Sequence, residues 1–476
     1  MKKRLFFQPL LISLVIFIFP YLSIAGNPHG AYYHWSSDRL FWFMIISDSH
    51  IGAGGSQDTD YLNWAVNEAR EVIDPLFIVN AGDLTDSTNG GVIPNGPYQE
   101  EWDMYGQILD AAGIDATFYF DIPGNHDAYN DANFAYYLAN SIQGSAFDST
   151  QHSWVRKFPF GSYHFLGVCT AGNDGAPFSI WPWDDYGDHA GLDEGELSFI
   201  ESQLINHPDA ELTLIFGHHP FEAGYSSLID TGLTYGLESL LDLINDYGVS
   251  QYGFGHTHDY LENFYYDTLF QGVFYLNVAS LGKSGQDHYA IMAVDGNGLS
   301  VVPADKGTWP VVLITAPVDQ SMGNQSNPFA YEIPLSPGNP VRALVFDKNP
   351  VVGVEFRIDE VGDWHEMEQV NDTPVWQGFW NASASMPGRH VIEVRAYGST
   401  VVTDRIETSI NPDICIGDFN RDGDVDGSDL AVFAADFGRT DCGIGDPCEG
   451  DFDEDSDVDG SDLAVFAADF GRTDCP

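Results

Sequence analysis

Between residues 40 and 260, short apolar runs repeatedly stop on a cluster of polar, metal-binding side chains, and this limits the possible folds more than any other feature of the chain. The run 41–46 ends in Asp48-Ser49-His50, and 76–79 ends in Gly82-Asp83-Leu84-Thr85-Asp86. The run 117–121 breaks on Ile122-Pro123 and continues as Gly124-Asn125-His126-Asp127. The last two, 212–216 and 251–254, end in Gly217-His218-His219 and Gly255-His256-Thr257-His258. Apolar runs of this length bounded by Gly and Pro are expected to be buried strands. Each polar group then falls just past a strand's carboxyl end, where open α/β sheets place their chemistry.

Helical spacing over 61–72, 98–112, 192–204 and 236–247 alternates with these strands, which predicts a layered α/β domain. The runs 273–278 and 288–294 read as antiparallel strands, with Asp-Gly-Asn-Gly turn chemistry at 295–298. After Trp309-Pro310 the pattern becomes short strands (311–315, 341–346, 352–358, 376–380, 390–397, 401–408) without helices between them, which predicts an Ig-like β-sandwich. The final segment is a direct repeat: D-V-D-G-S-D-L-A-V-F-A-A-D-F-G-R-T-D-C occurs twice, offset by 33 residues. The expected organisation is therefore a leader over 1–25, an α/β domain over 26–308, a β-sandwich over 309–412 and the repeats over 413–476.

The leader has a basic start, Met1-Lys2-Lys3-Arg4, an apolar centre and small residues at Ser23 and Ala25, the pattern of a cleaved secretory signal. A secreted or periplasmic protein, with no membrane attachment after cleavage, is expected. The formal net charge of −53 argues against nucleic-acid and anionic-lipid partners and fits a protein that binds cations. Cys415, Cys442, Cys448 and Cys475 fall in the repeats, which suggests one disulfide per repeat in an oxidising compartment. Closing such a loop contributes about 3.5 kcal/mol in the chain-entropy model. Cys169, in an apolar run, reads as a buried free thiol.

All five polar groups offer nitrogen or oxygen ligands and none offers sulfur, so a divalent metal is expected. In D-x-H and H-x-H, alternate side chains of an extended segment face the same way and can hold one ion. A carboxylate between two such pairs can bridge two ions. Two metals about 4 Å apart clamp the attacking and leaving oxygens of an in-line displacement and activate a water. A histidine beside them could protonate the leaving group.

These groups, in this order, resemble the calcineurin-like metallophosphoesterases. The resemblance implies an α/β four-layer sandwich and hydrolysis of phosphate mono- or diesters of a small substrate. It implies that Asp48, His50 and His258 hold one metal, that Asp83 bridges, and that Asn125, His218 and His256 complete the second site. His126 becomes the acid, oriented by Asp86 or, second, by Asp127. The metals implied are two of Fe, Mn, Zn or Co. Position 86 is Asp, unlike the tyrosinate position of purple acid phosphatases, so a charge-transfer iron site is not expected. A narrower resemblance, through I-P-G-N-H-D-A-Y-N, G-D-L-T-D and W-P-V-V-L-I-T, is to the extracytosolic part of the transmembrane protein 62 family. The alternative is a metal-loaded binding or scaffold protein without turnover.

Asp418, Asn420, Asp422, Asp424, Asp426 and Asp429 occupy positions 1, 3, 5, 7, 9 and 12 of an EF-hand-like loop, with Gly423 at the sharp turn. Asp451, Asp453, Asp455, Asp457, Asp459 and Asp462 repeat the pattern, with Ser456 in place of the glycine. Position 7 usually coordinates through its carbonyl, so Asp424 and Asp457 are expected to add only charge. With Asp at position 12 and the helix that follows, the pair resembles a type I dockerin, which implies Ca2+ and a cohesin-like partner. The same features also fit a calcium-rigidified, disulfide-stapled tail that anchors or stabilises.

Overall fold

A computed structural model describes residues 30–475 apart from 55–56, 92–94, 132, 173–189, 223–231, 266–271, 284–287, 421, 444–447 and 453–454. The expected leader over 1–25 and the calcium-ligand candidate Asp453 lie outside the described residues. No helix among the described residues is long and apolar enough to cross a membrane.

Among the described residues, eleven strands build the first domain. They are β1 (Leu40–Ile46), β2 (Ile78–Asn80), β3 (Tyr119–Asp121), β4 (His152–Phe158), β5 (Gly161–Gly167), β6 (Leu212–Phe216), β7 (Gln251–Phe254), β8 (Leu261–Tyr265), β9 (Val273–Asn277), β10 (His288–Asp295) and β11 (Gly298–Asp305). One sheet has the order β11-β10-β1-β2-β3 and the other β4-β5-β6-β7-β9-β8. Their facing sides bury Phe43, Ile45, Phe120, Phe165, Phe216, Leu276 and Met292 in one core. Helices Gln99–Ala111 and Gln57–Trp64 cover the outer face of the first sheet, and helices Glu194–Asn206 and Leu237–Tyr247 that of the second. The result is the expected layering of helix, sheet, sheet and helix.

Two sequence expectations change. The run from 273 is not antiparallel to 288–294: β9 lies in the second sheet, parallel to β7, while β10 pairs with β1 and β11. Its carboxyl end therefore faces the same way as those of β6 and β7. The expected Ig-like sandwich is instead one curled sheet of β12 (Val311–Ala316), β15 (Asn339–Phe346), β16 (Gly353–Ile358), β17 (His365–Gln369), β18 (Val375–Trp380), β19 (Gly388–Tyr397) and β20 (Val401–Ile410), with β13 (Ser321–Met322) and β14 (Gln325–Ser326) forming a separate two-stranded sheet. Its order is β12-β15-β18-β17-β16-β19-β20. Strand β17 joins the two halves by pairing with both β16 and β18. It was not legible in the sequence because His-Glu-Met-Glu-Gln buries only Met367. The edges approach closely enough for Ile314 N–H on β12 to donate to Asp404 on β20 at 2.7 Å, which makes the sheet nearly a barrel.

The barrel interior is filled by Val312, Ile314, Phe356, Trp376, Ile392 and Val394. Strand β12 is buried on both sides, because Val311 and Leu313 pack outward with Trp64, Tyr289 and Trp309 of the first domain. The two domains thus share one apolar core.

The repeats form helices Gly427–Asp436 and Gly460–Asp469, each capped by the loop aspartate before it, Asp426 or Asp459. They are swapped about a local pseudo-two-fold: Val425 N–H donates to Arg472 O and Val458 N–H to Arg439 O, at 2.9 and 3.0 Å. This arrangement corrects the expected pairing of one disulfide per repeat. The observed bonds are Cys415–Cys475, spanning 60 residues, and Cys442–Cys448, spanning 6. Each loop lies against the helix end of the other repeat, so the first and last cysteines meet and the two middle ones close the linker. In the chain-entropy model the longer closure contributes about 4 kcal/mol. Cys169 is buried and free, as expected. The tail rests on the body: Trp35 packs against Phe452, and Arg39 pairs with Glu449 at 2.6 Å.

Candidate metal centre

The carboxyl ends of β1, β2 and β3 in one sheet and of β6 and β7 in the other converge on a single site. Beyond the strands the backbone stays paired. Asp48 N–H donates to Gly82 O and His50 N–H to Asp83 O, each at 2.9 Å, and Gly255 N–H donates to His218 O at 3.1 Å. Close approach leaves no room for side chains at the turns. A β-carbon on Gly124 would lie 2.2 Å from Asp83 Oδ1, and one on Gly255 1.8 Å from Ser47 Oγ. Asp48, His50, Asp83, His256 and His258 all hold left-handed backbone, with φ between 44° and 69°. Each such non-glycine residue costs on the order of 1 kcal/mol, and such strain concentrates at functional sites.

All seven expected ligand positions come together. His258 Nε2 lies 3.3 Å from Asp48 Oδ1 and 3.1 Å from His50 Nε2. Across the site, Asn125 Oδ1 lies 3.1 Å from His218 Nε2 and 3.0 Å from His256 Nδ1. Asp83 stands between the groups, its Oδ2 3.6 Å from His50 Nε2 and 3.3 Å from His218 Nε2. Its other oxygen accepts the His126 N–H at 2.8 Å. His219 is buried with Nδ1 3.0 Å from Thr170 Oγ1 and its ring 4.5 Å from that of His256.

The donor set fits divalent transition ions. Asp48 Oδ1 and His256 Nε2 are buried and have no hydrogen-bond partner among the described residues. Buried polar atoms in that state are rare unless something else pairs with them. His218 Nδ1–H donates to Ala81 O at 2.8 Å, which turns Nε2 toward Asp83. Burial would lower the His218 pKa, but the Asp83 charge outweighs it and raises it to about 9. Burial also works against ionised Asp83, yet His218 and His126 hold its carboxyl well below the usual range. In the metal-free protein a proton thus sits between these two groups, and metal entry must expel it.

The acid candidate His126 is oriented differently from expectation. Its Nδ1–H donates to the main-chain carbonyl of Asp86 at 2.7 Å, whereas the Asp86 carboxylate stays 3.7 Å away. That carboxylate instead lies 2.8 Å from His50 Nδ1. Asp127 makes no hydrogen bond or ion pair with the imidazole among the described residues. It accepts from Leu84, Thr85 and Gly124 backbone N–H groups at 2.9–3.1 Å, tying the loop after β2 to that after β3. Burial pushes His126 down to about 4, so its Nε2 carries a lone pair in the metal-free protein.

Sequence reasoning missed Lys283, whose Nζ lies 2.6 Å from Asp86 Oδ1. The available signal was its place after β9, a sixth strand ending at this site. It also missed Tyr129, whose hydroxyl accepts from Asn125 Nδ2 at 2.7 Å and turns the amide oxygen toward His218. In the tail, Asp424 Oδ1 and Asp457 Oδ1 are buried without a hydrogen-bond partner among the described residues. Asp424, Asp426 and Asp429 converge within 4.8 Å. The Asp424 side chain therefore gathers with Asp426 and Asp429 at the loop.

Residues 41–260 match the family model described as Calcineurin-like phosphoesterase. Among curated proteins, Transmembrane protein 62 of Mus musculus is 26% identical over 373 residues, covering 75% of this chain and 53% of the mouse protein. The chain therefore spans about half the length of that relative. Among solved structures, a dimetal phosphatase from Danio rerio is 15% identical with a TM-score of 0.42, covering 56% of this chain and 96% of its own. An NAD nucleotidase from Haemophilus influenzae is 12% identical with a TM-score of 0.35, covering 56% of this chain and 49% of its own. Residues 41–260 are thus similar to calcineurin-like phosphoesterase domains.

Proposed function

We propose that this chain is an exported hydrolase of phosphate mono- or diesters that works with two divalent metals. The observation that carries this reading is the position of Asp83 Oδ2, within 3.6 Å of His50 Nε2 on one side and 3.3 Å of His218 Nε2 on the other. Asp48, His50 and His258 would hold one ion, and Asn125, His218 and His256 the other, with Asp83 shared. Bound there, such ions supply Lewis-acid polarisation of phosphoryl oxygens and a water acidic enough to attack near neutral pH. His126, fixed through Nδ1, would present Nε2 to the substrate; next to an anionic phosphate it gains a proton, which it can give to the leaving oxygen. Export is supported by two disulfides in the tail.

The test is removal and return of metal. Chain stripped with a strong chelator should lose hydrolysis of p-nitrophenyl phosphate and bis(p-nitrophenyl) phosphate, and regain it with Mn, Zn, Fe or Co. Full activity in protein shown by elemental analysis to hold none of these would overturn the reading.

The tail would bind calcium through Asp418, Asn420, Asp422, Asp424, Asp426 and Asp429, and through the corresponding set that begins at Asp451. Its support is the pair of buried oxygens of Asp424 and Asp457. Calcium added to the full chain should raise the tail's melting temperature, each site adding about 2.7 kcal/mol at a hundredfold excess over Kd. The second loop should bind more weakly, because Ser456 holds a left-handed φ of 74° where the first loop has Gly423, which holds its φ of 89° at less cost. Unchanged melting and circular dichroism would remove calcium from the tail.

A further inference from the structure

Lys283 stands outside every role given so far. Residues 280–283 follow β9 and run beneath the loop of Asp48. Gly282 N–H donates to Asp48 O at 3.0 Å, Ser280 Oγ–H to the same carbonyl at 3.1 Å, and Lys283 N–H to Ser280 Oγ at 3.0 Å. The packing is tight, since a β-carbon on Gly282 would lie 1.9 Å from Ser49 O. From this anchored backbone the Lys283 side chain reaches Asp86 Oδ1 at 2.6 Å. Its side chain is 34% exposed, whereas the Asp86 side chain is 2% exposed.

Asp86 is the hub. Its Oδ1 lies 2.8 Å from His50 Nδ1, its Oδ2 accepts from Thr88 Oγ1–H, and its carbonyl accepts from His126 Nδ1–H at 2.7 Å. A histidine that binds metal through Nε2 needs its Nδ1–H held by an acceptor, and that acceptor fixes both tautomer and ring orientation. One residue therefore sets the imidazole of a ligand candidate and the imidazole of the acid candidate. His50 Nδ1, at 2.8 Å, and the Lys283 ammonium, at 2.6 Å, sit against the same Oδ1. A buried carboxylate needs charged or hydrogen-bonded partners to stay ionised in one place. Lys283 provides the full positive charge among them.

We infer that Lys283 is a positioning residue: it pins the Asp86 carboxylate, and Asp86 in turn aims His50 at the metal site and His126 at the substrate. The inference rests on the metal-site reading proposed above. Its alternative is a direct contact between the exposed ammonium and the substrate phosphate.

The experiment compares K283M and K283R with the unaltered full chain. The dissociation constants of Mn2+ and Zn2+ are measured by competition with a chromophoric chelator, alongside kcat and KM for p-nitrophenyl phosphate and the melting temperature. K283M should weaken binding of one ion by about 10–100-fold, the range for loss of an outer partner of a metal ligand. It should lower kcat while leaving KM within about twofold. K283R, which keeps the charge, should restore metal affinity to within about threefold. Unchanged metal affinity with a raised KM would overturn the inference in favour of substrate contact. A lowered melting temperature with unchanged affinity and kcat would overturn it in favour of packing alone. Should K283M fail to fold, K283R binding metal as weakly as a charge-removing change predicts would also overturn it. An unaltered chain that binds neither ion would sink the metal-site reading itself, an outcome distinct from the other three.

Discussion

Asp83→Ala is expected to abolish measurable hydrolysis of aryl phosphates and to release both metals. One oxygen of this carboxylate faces both ligand groups, and the other accepts the N–H of the acid candidate, so its loss affects three roles together. Losing an outer partner of a metal ligand costs about 10–100-fold. Removing a ligand shared by two ions should exceed the upper end of that range. The variant should still fold, because the strands that deliver Asp83 are buried by Ile78 and Val79 rather than by the site. The check is elemental analysis together with kcat/KM. Retention of both ions, or activity within tenfold of the unaltered chain, would contradict the role assigned to Asp83.

The second large effect is on stability. Arg342→Ala should cost about 3–5 kcal/mol, the loss seen when one partner of a buried ion pair is removed. Arg342 is fully buried between the domains. It grips Asp295 with Nε at 3.0 Å and Nη2 at 3.2 Å, and its Nη1–H donates to Trp35 O at 3.0 Å. His34 Nε2 lies 2.8 Å from the same carboxylate, and Thr315 Oγ1–H donates to it at 2.8 Å. Urea unfolding would measure the loss. A double variant, Asp295→Leu with Arg342→Met, should be more stable than either single change, because it leaves no unpaired charge.

The same cluster sets the response to acid. Burial, helped by the Arg342 charge, holds His34 down to about 4 from its ordinary 6.5, and Arg342 holds Asp295 down to about 2 against the upward push of burial. Both groups bind protons more readily when the chain is unfolded. The stability they contribute is therefore complete above about pH 6.5 and drains away as the pH falls toward 4 and below. A midpoint in urea that stays flat from pH 7 to pH 4 would exclude this linkage.

The candidate metal centre was legible because each ligand candidate sits within a few residues of an apolar strand end, so local sequence places it. Asp48, Asp83, Asn125, His218 and His256 needed only the rule that parallel strands present their carboxyl ends to one side. The rest depends on pairings that no local pattern carries. Lys283 went unseen because β9 reads equally well as an antiparallel strand, and only its pairing with β7 turns its end toward the site. The work divided between the carboxylate and the carbonyl of Asp86 is set by backbone geometry after β2. Strand β17 was hidden because its polar face gives no apolar signal. The cysteine spacing was visible, but its pairing follows from the crossing of the repeats in space.

That crossing bears on how the tail would carry load. Cys415 and Cys475 bring the first and last turns of the module to one corner, joined by a covalent bond. A tug applied near Cys475 would pass through that bond straight to the backbone at Cys415. The acidic loops and both helices would lie off the line of force, like a closed carabiner whose gate takes no strain. Tension enough to unravel an open module of this size would leave this one coiled until its sulfurs were reduced.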